Sequence, residues 1–219
     1  MRHLKDFFAK LPERAFKKGD VLLHQDEAAD EAFYISDGFV KAYTIADAGD
    51  EKLITILGPG DLINIEGAFF QDHTHRYYFE AMSDGVVRVQ QTSVLEKELT
   101  KDNAALLGLV RYTMSRNDEL AQTLENILQS KSDTKLINYL ALLVQRFGQE
   151  SKTGIVTLPF PLSHAQHASM VGTTRETMTV QIRQLTKKGI LRAARRGIFR
   201  NRQSGFEINL EKLRELTDV

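Results

Sequence analysis

Residues 162–196 read LSHAQHASMVGTTRETMTVQIRQLTKKGILRAARR, and their spacing decides how the C-terminal third of the chain folds. Ser163, with Gln166 three residues on, is a capping box that opens one short helix. Gly172 supplies the left-handed turn that closes it. Thr173 with Glu176 forms a second capping box and opens a second helix. Ala165, Ala168, Met170 and Val171 offer small apolar contacts for a tight crossing. Met178, Ile182 and Leu185 recur at helical spacing on the inner side of the second helix. Two short helices around a Gly turn, followed by a burst of arginines, form the layout of a helix-turn-helix whose second helix enters a DNA major groove. Arg175, Glu176, Thr179, Val180 and Arg183 then lie towards the groove or its walls. An arginine fork matches guanine O6 and N7, and a glutamate accepts from cytosine N4. Glu176 is equally suited to capping its helix alone. Ser163, Gln166, Thr174 and the arginines Arg192, Arg195 and Arg196 suit phosphates, which position without specifying.

The distribution of charge supports this. The whole chain balances 29 basic against 29 acidic residues, yet only residues 106–150, with 5 of each, balance locally. Residues 1–105 carry 12 Lys/Arg and 19 Asp/Glu, and residues 151–219 carry 12 and 5. Between 175 and 202 there are nine basic residues and one acid, Glu176. A basic back end calls for a polyanion partner, and double-stranded DNA is the simplest one.

Upstream the pattern changes. From Phe16 to about Val89 the chain is rich in Val, Ile, Tyr and Phe. It is punctuated at Gly19-Asp20, Asp37-Gly38, Gly49-Asp50, Gly58-Pro59-Gly60-Asp61 and Asp84-Gly85. Turn signals every roughly 8–12 residues predict an antiparallel sandwich or jelly roll. Helices are expected to flank it, over Leu4–Leu11 and Ser93–Leu99. Residues 104–129 have no Pro and a helical period. Leu106, Leu109, Thr113, Arg116, Leu120, Thr123 and Ile127 fall on one seam. Leu107, Val110, Met114, Ala121, Leu124 and Leu128 fall on the next. Two adjacent seams suit one face against the helix's own domain and one against a second copy of the chain. Asp133 caps a further helix that stops at Gly148, and the polar stretch GQESKTG reads as a linker. IVTLPF reads as a strand, GIFRNRQSGFEINL as a small hairpin and LEKLREL as a closing helical turn.

Some classes are excluded. The chain has no cysteine, which removes disulfides, cysteine-ligated iron–sulfur clusters and thiol redox sensors. No stretch approaches the ~20 apolar residues that span a bilayer. The charged start MRHLKDFFAKLPER lacks a signal-peptide core, so a cytoplasmic location without a membrane partner is expected.

With these features in place the chain resembles the CRP/FNR family of bacterial regulators. GTTRETMTVQIRQLTKKGIL (172–191) is similar to the family's recognition-helix segment. The stretch from Gly19-Asp20 through DEAFYISDGFVKAY to Tyr43, and LGPGDLI (57–63), resemble its sensor pattern. The resemblance implies an α+β chain in three parts. An N-terminal antiparallel β jelly roll, like the cyclic-nucleotide-binding domain, spans 1–103. A long dimerisation helix spans 104–130, and a C-terminal winged helix-turn-helix spans 131–219. It further implies a transcriptional activator acting as a homodimer on a palindromic site, with RNA polymerase as a partner and Arg175 and Glu176 as base readers. No cofactor or enzymatic activity is implied. The family's usual arginine one turn beyond the glutamate is Val180 here, which suits a thymine methyl and predicts an altered half-site.

The sensor departs from the cyclic-AMP pattern. Where those members carry a Gly-Glu pair and then an Arg-Ser pair, this chain has Asn64-Ile65 and His75-Arg76. A one-residue displacement in a strand reverses the face. The segment HRYYFEA (75–81) is closer to the cyanobacterial-type global nitrogen regulators, which bind 2-oxoglutarate. That similarity implies two arginines, Arg76 and Arg116, facing a dicarboxylate or similar organic acid; Asn64, Ile65 and Leu120 complete the candidate effector site. Arg116 can also pair simply with Asp118 or Glu119, and the sensor can be constitutive. A second class is a metal-binding, cupin-like jelly-roll enzyme with a basic C-terminal domain. Gly67, His73, His75 and Glu80 resemble the first cupin motif, but no second motif follows, and His73 and His75 are expected in an exposed turn.

Overall fold

The structure, a computed structural model, describes residues 2–28, 30–46, 49–70, 74–129, 132–151, 154–193 and 206–216. It divides into two compact units, Met1–Glu119 and Leu120–Val219.

The first unit opens with helix α1 (Arg2–Phe8). Strands follow in the order β1 (Glu13–Phe16), β2 (Val21–Leu23), β3 (Glu31–Asp37), β4 (Val40–Ile45), β5 (Glu51–Leu57) and β6 (Leu62–Ile63). A 3-10 turn over Glu66–Ala68 precedes β7 (Tyr78–Ala81), β8 (Gly85–Gln91), α2 (Thr92–Leu99) and the long α3 (Asn103–Leu128). The strands form two four-stranded antiparallel sheets, ordered β1-β8-β3-β6 and β2-β7-β4-β5. This is the expected jelly roll. Strand alternation places Phe33, Ile35, Val40, Ala42, Phe79, Ala81, Val87 and Val89 in one core between the sheets. Lys41, on the opposite face of β4, is nearly buried. It ion-pairs with Glu51 and Glu80 and lies 4.4 Å over the Tyr43 ring.

A second core joins helices to the other sheet. Leu4 and Phe8 of α1, Leu95 and Leu99 of α2, and Ala105, Leu109 and Tyr112 of α3 close over Tyr34 and Leu62. The buried stripe of α3 is thus Ala105-Leu109-Tyr112 rather than the seam read through Leu106, Thr113 and Leu120. Thr113 and Leu120 are exposed, and Thr113 returns its hydroxyl to the Leu109 carbonyl. The neighbouring seam is left uncovered by its own chain. Leu107, Val110, Met114, Leu124 and Leu128 each leave about half or more of their surface uncovered.

The second unit contains the end of α3, α4 (Ser132–Phe147), β9 (Gln149–Glu150), β10 (Ile155–Thr157), α5 (His164–Val171), α6 (Arg175–Lys187), β11 (Leu191–Ala193), β12 (Phe206–Asn209) and α7 (Leu210–Arg214). Its sheet runs β11-β12-β10-β9. GQESKTG is therefore not simply a linker. Gln149 and Glu150 pair with Thr157 and Val156, forming the outer strand of that sheet. Asp133 lies one residue inside α4, whose first residue is Ser132. No described helix is long and apolar enough to cross a membrane.

Candidate DNA-reading face and sensor residues

The helix-turn-helix is built by short-range chemistry. The Ser163 hydroxyl accepts from the Gln166 amide nitrogen at 3.2 Å, and the Gln166 side chain accepts from the Ser163 amide at 2.9 Å. This is the expected capping box; it uses the Ser163 and Gln166 side-chain oxygens as acceptors and leaves the Ser163 O–H and the Gln166 side-chain N–H groups as donors. Gly172 closes α5 at φ +68° in the left-handed region, where a side chain would be strained. The second cap is shifted from the expected one. Thr174, not Thr173, is the N-cap of α6, and its hydroxyl accepts from the Thr177 amide at 3.2 Å. The reason lies in the turn: the Thr173 amide is already spent on the Ala168 carbonyl, so Thr174 is the last extended residue before the helix. Glu176 sits in the first turn, where the helix dipole favours a carboxylate.

Met178, Gln181, Ile182 and Leu185 form the buried side of α6. Arg175, Glu176, Val180 and Arg183 are exposed on the other side, and Thr179 is half-buried on its flank. Gln181 was not foreseen as a buried residue. Its side-chain amide donates to Asp133 Oδ1 at 3.0 Å, tying α6 to α4. Arg192 on β11 is exposed, but its guanidinium pairs with the buried carboxylate of Glu207 on β12. Arg192 therefore has a structural partner while most of its side chain stays exposed. Arg195 and Arg196 lie outside the described residues.

Two histidines of α5 were also missed. His164 Nδ1 lies 3.0 Å from the Thr179 hydroxyl, bridging α5 to α6. His167 is buried edge-on to Tyr139, ring centroids 5.9 Å apart, and neither ring nitrogen has a hydrogen-bond partner among the described residues. Burial pushes its pKa down to about 3, with the neighbouring His164 adding to the shift, and burial raises the Tyr139 hydroxyl. A histidine among apolar neighbours reads in sequence like any polar helix residue; only its spacing, one before Ala168, hinted at the inner face.

In the sensor unit the expected effector residues are separated in role. Asn64 is buried at φ +56°, and its amide donates to the Glu31 carbonyl at 2.8 Å. Ile65 packs on the helix-side core, whereas Arg76 and Leu120 are exposed. Arg116 is engaged by two carboxylates, Asp61 at 3.3 Å and Glu119. Asp61 also holds the Gly58-Pro59-Gly60 turn through the Gly58 amide at 2.8 Å. The Tyr112 hydroxyl accepts from the Leu62 amide at 3.0 Å beside it. Glu119 was anticipated as a partner, while Asp61, 55 residues away, was not. His75 corrects the exposed-turn expectation: it is buried and edge-on to Phe79. Glu80 of the cupin-like pattern pairs with Lys41, and His73 lies outside the described residues. Among the described residues no three His, Asp or Glu side chains converge as metal ligands would.

A jelly roll and a winged helix-turn-helix in one chain define a DNA-binding regulator with a sensor domain. Comparison with known proteins agrees. Residues 13–102 match the Cyclic nucleotide-binding domain family, and residues 134–216 match the Crp-like helix-turn-helix domain family. The chain is 22% identical over 177 residues to the Global nitrogen regulator of Nostoc sp., covering 80% of this chain and 79% of that one. It is 23% identical over 177 residues to the CRP-like cAMP-activated global transcriptional regulator of Mycobacterium tuberculosis, covering 81% and 78%. Among solved structures, FixK2 from Bradyrhizobium japonicum shares the fold with a TM-score of 0.72 at 22% identity, over 95% of this chain and 98% of that one. The chain belongs to the CRP/FNR family of transcriptional regulators.

Proposed function

We propose that this regulator binds DNA as a homodimer on a palindromic site, with each α6 reading one half-site. The observation that carries this is the outer side of α6. Arg175, Glu176, Val180 and Arg183 stand exposed opposite a buried apolar stripe, in a helix capped so that its first turn can approach DNA. Pairing of two chains is supported by Leu107, Val110, Met114, Leu124 and Leu128, an apolar seam on α3 too extensive for an unpartnered helix. Arg175 bonds guanine, Glu176 accepts from cytosine, and Val180 stands where a thymine methyl fits. Ser163, Gln166, Thr174 and the arginines Arg192, Arg195 and Arg196 serve the backbone. RNA polymerase is the partner that turns binding into activation, in the cytoplasm.

The sensor answers to an organic acid, of which 2-oxoglutarate is the first to test, or acts without a ligand. Arg76 and Arg116 support the acid. The ion pairs of Arg116 with Asp61 and Glu119 set a condition on it: an acid must displace one carboxylate to reach the guanidinium. The test is selection of bound sequences from random DNA, repeated with a panel of metabolites and with Arg76→Ala. A two-fold symmetric consensus sharpened by an acid, and unsharpened in Arg76→Ala, supports the full reading. An asymmetric or absent consensus refutes the dimeric reading.

A further inference from the structure

Thr179 lies on the flank of α6, one turn after Arg175 and one before Arg183, between the buried stripe and the reading face. Its hydroxyl is committed on the protein side. It donates to the Arg175 carbonyl at 2.8 Å. It also lies 3.0 Å from Nδ1 of His164. A hydroxyl has one hydrogen, and here that hydrogen goes to the carbonyl, so His164 must be the donor. That fixes the imidazole proton on Nδ1. His164 is held in turn: it is the first residue of α5, directly after the Ser163 cap, and its ring lies parallel to Phe206 with centroids 6.5 Å apart.

A helical threonine divides between two rotamers, one of which bonds its hydroxyl back to the preceding turn. The His164 bond selects that rotamer and leaves the hydroxyl no proton to donate outward. The methyl group is then the part of the side chain left for a ligand. In a major groove a methyl group finds one complementary feature, the C5-methyl of thymine. We propose that His164 is a positioning residue for sequence readout: by locking the Thr179 hydroxyl it makes α6 read one thymine of each half-site through its methyl group. This rests on the DNA-reading role proposed above for α6.

The experiment uses the full chain and a duplex recovered by selection. Each thymine of the half-site is replaced in turn by deoxyuridine, which removes only the C5-methyl. At the thymine under Thr179, separate from the one that Val180 meets, the wild type should lose affinity about four-fold per half-site, the equivalent of one buried methyl group. Thr179→Val keeps that discrimination, and Thr179→Ser abolishes it. His164→Ala reduces it below about two-fold, and His164→Asn, whose amide can donate in place of Nδ1, restores it. A merely structural His164 would weaken thymine and uridine duplexes equally, and that result overturns the proposal. So does loss of discrimination in Thr179→Val, or a wild type indifferent to uridine at every position while still binding tightly. A wild type that binds no duplex refutes the regulator reading itself and carries this proposal with it.

Discussion

Acidification should weaken the DNA-binding unit through one side chain, His167. Its imidazole is buried against Tyr139 and Phe206 with both nitrogens unpartnered among the described residues, and its folded pKa falls from 6.5 to about 3. The unfolded chain therefore takes up this proton near pH 6.5 and the folded chain only near pH 3. Between those values the unfolded state binds more protons, so stability falls as pH falls, by about 1.4 kcal/mol per pH unit. Moving from pH 7.5 to pH 5 should cost about 2 kcal/mol, a large part of an ordinary domain's stability. His167→Leu removes the titrating group and two unpaired polar atoms at similar volume. It should be neutral or stabilising at pH 7.5 and should abolish this component of the pH dependence. Hydrogen exchange of α5 and α6 amides, corrected for intrinsic rates, reads the opening free energy at both pH values. Parallel losses in wild type and His167→Leu would show that the proton enters elsewhere and that His167 is not the titrating group.

Replacing Met114 and Leu124 by Glu places charges on the apolar seam of α3. Light scattering should show the mass falling to one chain, with DNA affinity at least about ten-fold weaker through loss of the second half-site. Arg192→Ala should leave the salt dependence of DNA binding within one phosphate's slope of about 0.9, since Arg192 is already paired with Glu207. It should lower stability by about 1 kcal/mol. Gly38→Ala should destabilise by more than about 2 kcal/mol in thermal unfolding, because its φ is +88° and its Cβ would sit 2.8 Å from the Asp84 carbonyl oxygen. Gly19→Ala, equally left-handed at φ +90° but in open space, should cost only about 1 kcal/mol.

The parts of the fold legible in sequence are those built from neighbours. The Ser163–Gln166 box, the Gly172 turn and the inward Met178, Ile182 and Leu185 all arise within a few residues, so spacing alone finds them. Thr174 displaced Thr173 as cap because a backbone amide two residues into the turn was already spent, a detail that spacing cannot carry. Long-range partners were not legible. Asp61 meets Arg116 from 55 residues away, Gln181 meets Asp133, and Glu31 gives its carbonyl to Asn64 only once β3 and β6 are paired. The same holds for His75: a polar segment between two turns looks exposed until its backbone pairs with Asp26 and Glu27 from far upstream. Tyr112 escaped for a different reason. A tyrosine in a leucine-rich helix looks like a rim residue, yet its hydroxyl satisfies the Leu62 amide and so lets the ring be buried.

Whether α6 reads a two-fold DNA site from a dimer is decided by fluorescence anisotropy on a selected palindromic duplex, titrated at increasing salt. Two chains should bind per duplex, and log affinity should fall against log salt with a slope of about −5 or steeper, the signature of six or more neutralised phosphates. Exchanging Arg175 for Ala should cost about 1–3 kcal/mol and relax one base of the consensus. Binding that ignores salt, a stoichiometry of one chain, or an Arg175→Ala variant with unchanged preference would show that α6 does not read DNA in this way.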